Sequence, residues 1–339
     1  MPPKDWSRYG IEEKHTKPKA PKVFDSIIIG AGPAGMTAAV YGSRRKLKLL
    51  LISGHQIGGQ MLWASDIENY TGIKKITGPA LTERFYHHLK KIEHDYEHFD
   101  FWLHEHEAVT HVEKKGALFL VHTEEGEVFS AKTLIIAAGK KPRTLGVPGE
   151  AMAMKGNGLS FSTTSDAPLY KEKKVAVIGG GNSALDISLQ LEKFTTDITL
   201  FTDLDHLIGE QVLIEKVKKS PHIEVKYNIA VQEILLNPCH KVCGILYREK
   251  NEKSQKFECE GIFEGIGHMP TTDFLQGFLA LNPRGEIVTD RKCRTSVSGV
   301  FAAGDITEEV HKQVIVAAGQ GAIAALEVHE YLQLQKNQT

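Results

Sequence analysis

Two glycine-rich turns, each entered from an apolar run and left through a helical pattern, constrain this chain more than any other feature. The first lies in "FDSIIIGAGPAGMTAAVYGSRRKLKLLLISG", where Ser26–Ile29 leads into Gly30-x-Gly32-x-x-Gly35. Such a strand, turn and helix place three glycines for three reasons. One makes the tight turn, one lets the backbone approach a pyrophosphate, and one lets the helix pack closely on the strand. The free N–H groups and positive dipole end of the helix then face the phosphates. The residues expected against a dinucleotide are Gly30, Gly32, Pro33, Ala34 and Gly35. One feature departs from the pattern: the second strand ends at Ser53-Gly54, where an acidic residue would ordinarily hold the ribose hydroxyls.

The second turn repeats the logic in "KKVAVIGGGNSALDISLQLEKFTTDITLFTDLDH". The strand Val175–Ile178 runs into Gly179-x-Gly181-x-x-Ala184, and Gly179, Gly181, Asn182, Ser183 and Ala184 are the expected contacts. The following strand, Ile198–Phe201, ends near Asp203, about 20 residues past the glycines, where a carboxylate accepts hydrogen bonds from a ribose 2′-OH. That carboxylate would repel a 2′-phosphate, and no arginine occurs between Thr195 and His206. NADH is therefore expected ahead of NADPH. The plainer alternative is an acidic surface turn at Asp203 and Asp205.

Near the C-terminus, "TSVSGVFAAGDI" offers a short strand, Gly299–Ala303, ending in Gly304-Asp305. A helical pattern follows from Gln313 and Val314. A strand-end Asp suits a sugar-like hydroxyl, and a helix start suits an electron-rich ring. Together the elements predict an α/β protein of two Rossmann-like, three-layer dinucleotide-binding domains, one inserted in the other. The expected boundaries are a flexible arm at 1–22, the first part of an FAD-binding domain at 23–143, an inserted NAD(P)H-binding domain at 144–269, and the second FAD part at 270–339. A length of 339 residues agrees with more than one core.

In this order the motifs resemble a known family. "GAGPAG", "IGGQM", "DIENYTG", "IIAAG", "VIGGGNSA" and "GVFAAGD" are similar to those of the low-molecular-weight thioredoxin reductases. "KCRTSVSGVFAAGDIT" is closer still to the reductase portion of the alkyl hydroperoxide reductase flavoprotein. The resemblance spans residues 24–335, and the thioredoxin-like domains preceding that portion have no counterpart in this sequence. It implies FAD with an inserted pyridine-nucleotide domain, a homodimer, and two domains that swivel. It also implies flavin contacts for Gln60 and Asn69, a ribityl contact for Asp305 and a ring-facing helix start at Gln313. The family's Cys-x-x-Cys-Asp aligns with Ser162, Thr163, Thr164, Ser165 and Asp166. A hydroxyl forms no disulfide, so no dithiol relay is expected at Ser162 and Ser165. "FTDLDH" stands where the family carries a His-Arg-Arg run for NADPH.

Other features point to no further chemistry. Cys239, Cys243, Cys259 and Cys293 are too few for a disulfide scaffold and predict a reducing, cytoplasmic setting. Cys239 and Cys243 flank an expected hairpin turn. His94, His98, His104 and His106 are dense, but no cysteine or tight ligand cluster joins them in sequence, so no metal is expected. Trp63 is read as packing near the flavin. The net charge of -1 speaks against nucleic acid. No apolar run reaches the roughly 18 residues of a membrane helix.

The expected function is an NAD(P)H-dependent flavin oxidoreductase passing electrons to an external acceptor, a ferredoxin-like carrier or a small molecule. The alternatives are a redox- or nucleotide-sensing binding protein on the same scaffold, or a serine-substituted disulfide reductase.

Overall fold

The structure, a computed structural model, describes residues 20–337 apart from 55–56, 65–66, 96, 155–156, 162 and 251, and leaves out the side chains of Trp63, Thr164 and Ser165. The chain divides into two compact units, one of Met1–Lys141 with Pro270–Thr339, the other of Pro142–Met269. Along the chain the first unit begins β1 (Phe24–Ile29), α1 (Pro33–Arg44), β2 (Leu49–Ile52), α2 (Gly78–His94) and β3 (Phe101–His104). A meander follows, β4 (Val109–Lys115), β5 (Leu118–Thr123) and β6 (Val128–Ile136), then the short β7 (Lys140–Pro142). The second unit holds α3 (Glu150–Ala153), β8 (Leu159–Ser160), α4 (Thr163–Asp166), β9 (Val175–Ile178), α5 (Asn182–Leu191) and β10 (Ile198–Phe201). It continues through α6 (Gln211–Lys219), β11 (Ile223–Lys226), β12 (Ile229–Leu236), β13 (Val242–Glu249), β14 (Gln255–Glu258) and β15 (Gly261–Glu264). The chain returns through β16 (His268–Pro270), β17 (Val300–Ala302) and α7 (Val314–Lys336).

In the first unit the sheet order is β3-β2-β1-β6-β5-β4. β1, β2 and β3 run parallel, and β6 is the strand where the two halves of the unit meet. Its first half pairs antiparallel with β5 through Val128–Ala131, and its last residues, Leu134–Ile136, pair parallel with β17. Buried on both faces, β1 reads as the near-continuous apolar run such a strand requires. Alternation then sorts its side chains. Ile28 packs with the helices, among Met36, Leu89 and Val328, while Ile27 and Ile29 pack with Phe119, Val121 and Ile306 on the other face. Small residues let α7 lie directly against α1, since a Cβ on Gly321 would come within 2.0 Å of Ala34 O.

The second unit has a parallel sheet of order β11-β10-β9-β15-β8 and a separate antiparallel sheet β12-β13-β14. Val177, Leu185, Leu200 and Phe263 form the core on the α5 side. Ala176, Ile178, Ile234, Ile245 and Phe257 form the core toward the β12-β13-β14 sheet. Strand order reverses between β9 and β15, which makes their carboxyl ends the place where an open α/β sheet takes a ligand.

Candidate functional site

The first glycine turn is built to leave space. Gly30 has φ +106°, and a Cβ there would meet Ala137 O at 2.4 Å, so the turn and the β6 exit touch through backbone alone. A Cβ on Gly35 would come within 1.8 Å of Gly30 O, whereas nothing lies within 4 Å of one on Gly32. Gly32 caps α1 in an extended conformation with no side-chain hydrogen bond, and Pro33 opens the helix. Its first N–H groups therefore face open space with the positive end of the helix dipole behind them.

That space is a cavity of about 400 Å³. It is lined by Ile52 and Gly54 from the end of β2, Gly30, Gly32, Pro33 and Ala34 from the β1–α1 turn, Lys140 after β6, Asp305 after β17, and Lys312, Gln313 and Val314 at the start of α7, with Ala108, Val109, Thr271 and Phe274. Two hydrogen bonds from distant segments reach its lining residues Asp305 and Gln313. Gln60 Nε2 donates to Asp305 Oδ2 at 3.2 Å, and Asn69 Nδ2 donates to Gln313 Oε1 at 3.1 Å. Gly304 N–H donates to Gln320 Oε1 at 2.8 Å, tying the strand end to α7. Burial raises the Asp305 carboxyl above its ordinary value, against the opposing charges of Lys312 and Lys140 and the Gln60 hydrogen bond. Gln313 caps α7 without a side-chain bond to the helix, so this helix start also faces the cavity unblocked.

Sequence patterns missed four polar members of this neighbourhood. Lys140 and Lys312 line the cavity, and both ammonium groups reach Glu286 Oε1, at 3.0 and 3.3 Å. Gln320 is the fourth. Adjacency was the available signal, since Lys140 follows the strand-end Gly139 and Lys312 precedes Gln313. Glu286 carried none, because its partners lie far along the chain.

In the second unit Gly181 caps α5, again extended and without a side-chain bond. A Cβ on Gly180 would lie 2.4 Å from Thr202 Oγ1 and 3.0 Å from Leu204 Cδ1, so the turn abuts the segment carrying the exposed Asp203. Ser183 is exposed and Ala184 buried in the first turn of α5. Asn182 Oδ1 accepts from Glu210 N–H at 2.7 Å and so also holds a neighbouring loop. Glu264 ends β15 beside Ile178, at the point where strand order reverses. Burial, and then the nearby Glu150, push its carboxyl up to about 9. Glu150 itself accepts N–H bonds from Leu145 and Gly146, both at 2.7 Å.

Ser162 lies outside the described residues. Ser165 sits on the backbone of α4, and Trp63 ends the short turn Gly59–Trp63. The four cysteines are free. Burial pushes the thiols of Cys259 and Cys293 up to about 12, which leaves little thiolate at neutral pH. The histidines are placed differently from the sequence pattern. α2 ends at His94, and His98 bonds Asp95 just beyond it, so those two share no helix face. His104 meets Glu107 at 2.5 Å and Glu127 at 3.3 Å, a tight group that sequence spacing did not reveal because Glu127 arrives from the turn between β5 and β6.

A chain with a glycine turn opening a helix in each of two α/β units has the architecture of a two-nucleotide oxidoreductase. The chain belongs to the pyridine nucleotide-disulphide oxidoreductase family, which it matches over residues 24–321. It is 36% identical to the alkyl hydroperoxide reductase F subunit, that of Pseudomonas aeruginosa, over 91% of its own length and 58% of that protein's. It thus spans rather more than half of that relative. It is 33% identical to thioredoxin reductase of Peptoclostridium acidaminophilum, covering 92% of this chain and 98% of that one. The crystal structure of Lactococcus lactis thioredoxin reductase resembles it with a TM-score of 0.77 and 31% identity, over 91% of this chain and 99% of the other. Among the described residues no helix is long and apolar enough to cross a membrane.

Proposed function

We propose that the chain is an oxidoreductase holding FAD in the cavity of its first unit and NADH on the glycine turn of its second, delivering electrons to an external acceptor without a dithiol relay. The observation that carries this is the convergence of the Gly30–Gly35 turn, Gln60, Asp305 and Gln313 on one cavity, although Gln60 and Asp305 are 245 residues apart. Its middle suits a pyrophosphate, because α1 offers uncapped N–H groups and Gly32 leaves the approach open. Its chemistry suits a flavin: a half-buried carboxylate for ribityl hydroxyls, and an uncapped helix start where negative charge develops.

When bound, flavin and nicotinamide supply hydride chemistry, and the protein supplies position and electrostatics. Asp305 accepts hydrogen bonds on the oxygen not held by Gln60. Asn69 orients the Gln313 side chain at the start of α7. Asp203 accepts from a ribose 2′-OH and repels a 2′-phosphate. Serine at 162 and 165, together with the poorly ionised thiols of Cys259 and Cys293, supports an acceptor outside the chain, a ferredoxin-like carrier or a small molecule. As in the resemblance, the working form is a homodimer.

The test is anaerobic rapid mixing of FAD-loaded protein with each nucleotide. Bleaching of the flavin by NADH, faster than by NADPH at equal low concentration, is expected. Each 1.4 kcal/mol of discrimination at Asp203 is worth about tenfold. Faster reduction by NADPH would show Asp203 to be misassigned.

A further inference from the structure

The order of the strands gives the cavity lining a direction, from β2 through β1 to β6 and β17. Ile52 and Gly54, at the carboxyl end of β2, mark where a dinucleotide fold holds its adenosine ribose. The glycine turn occupies the middle. In strand order β6 and β17 lie on the other side of that turn, so the end with Lys140, Asp305, Lys312 and Gln313 is left for the ring. Two ammonium groups stand at that end, and they share a single carboxylate oxygen. Lys140 Nζ and Lys312 Nζ lie 3.0 and 3.3 Å from Glu286 Oε1. The side chains are largely withdrawn from solvent, at 15% exposure for Lys140, 24% for Lys312 and 5% for Glu286.

We propose that the buried Lys140–Glu286–Lys312 group tunes the reduction potential of the bound flavin, its two ammonium groups favouring the reduced, electron-rich form and its carboxylate opposing them. The inference rests on the FAD reading above. One carboxylate divided between two cations leaves a net positive charge, and the uncapped start of α7 adds to it. Asp305 lines the same cavity, and its carboxylate, held at Oδ2 by the neutral Gln60 amide, opposes that charge. The lysines are held in place rather than free to retreat into water. Lys312 Nζ also donates to the carbonyls of Thr307 and Asp305, at 2.5 and 3.2 Å. Asn282 Nδ2 donates to the second oxygen of Glu286 at 2.9 Å. Burial, followed by the charge of Lys140, depresses Lys312 below its ordinary value, while Glu286 and Asp305 act the other way. A ring that gains negative charge on accepting electrons is attracted by both ammonium groups. In a site shielded from water the gain is larger than the same charges would give at a surface.

Glu286 and Lys140 therefore act in opposite senses on one quantity, the reduction potential of the bound flavin. The experiment compares FAD-loaded wild type, Lys140→Met, Lys140→Arg and Glu286→Gln. Flavin content is measured first, then the midpoint potential against a reference dye, then the dissociation constant of sulfite, an anionic probe that bleaches electron-poor flavins. Lys140→Met should keep its FAD, bind sulfite about tenfold more weakly and fall by about 30 mV, the two-electron equivalent of a tenfold change. Lys140→Arg should stay near wild type, and Glu286→Gln should move both readings the other way. Potentials that do not move in fully loaded Lys140→Met and Glu286→Gln would overturn the inference alone. A wild-type protein that takes up no FAD would overturn the flavin reading and this inference with it.

Discussion

Gln60 Nε2 donates to Asp305 Oδ2 at 3.2 Å, joining the turn after β2 to the end of β17. The bond makes one wall from two distant segments and leaves the other Asp305 oxygen for a ligand. Asp305→Ala should fold, because the side chain lines a cavity rather than fills a core, but should hold FAD at least tenfold more weakly. That corresponds to losing about 1.4 kcal/mol, an ordinary loss for a hydrogen bond to a charged group. Titration of stripped protein with FAD checks it, and unchanged affinity would remove Asp305 from the ribityl contacts.

The glycines of the first turn separate folding from binding. A methyl on Gly35 would press on Gly30 O, so Gly35→Ala should lower the thermal midpoint in line with the about 1–3 kcal/mol of an overpacked site. A methyl on Gly32 meets nothing within 4 Å and projects where the ligand backbone would lie. Gly32→Ala should therefore melt like wild type yet retain less FAD. Equal FAD content in Gly32→Ala would show that the pyrophosphate does not approach there.

These differences also mark how far the sequence could be followed. Strands Val175–Ile178 and Ile198–Phe201 stand where periodicity placed them, and α7 starts one residue after Gln313, because local apolar runs and turn residues determine such elements. The glycine turns were readable for the same reason: their steric demands arise within a few residues. Glu286, Gln320 and the grouping of His104 with Glu127 were not, since each depends on which strand end the fold brings near. Nor does any pattern announce that Glu264 is buried beside Glu150. It occupies an apolar run where alternation predicts only an inward side chain.

Glu264 gives the second unit a pH dependence of definite sign. Its carboxyl titrates at about 9 when folded against an ordinary 4.5. Between those values the folded chain keeps a proton that the unfolded chain has released. Its contribution is thus whole below the lower value and is lost as pH rises toward the upper one, with a slope of up to about 1.4 kcal/mol per pH unit. Glu264→Gln should flatten the dependence and melt above wild type on the alkaline side, by about 2–4 °C for each kcal/mol regained. Melting curves at a mildly acidic and a mildly alkaline pH decide it. Parallel shifts of wild type and variant at both would show that Glu264 carries no such proton.

We propose that electrons enter a flavin and leave without passing through a dithiol: serines occupy 162 and 165, where the family resemblance implies the redox pair. The most direct measurement is an anaerobic reductive titration of the FAD-loaded protein, followed at the flavin absorbance and by thiol counting before and after. A single two-electron equivalent per flavin should complete the bleaching, first with dithionite and then with NADH, and the thiol count should not change. Uptake of a second equivalent with the appearance of new thiols would contradict the account and place a redox disulfide among Cys239, Cys243, Cys259 and Cys293.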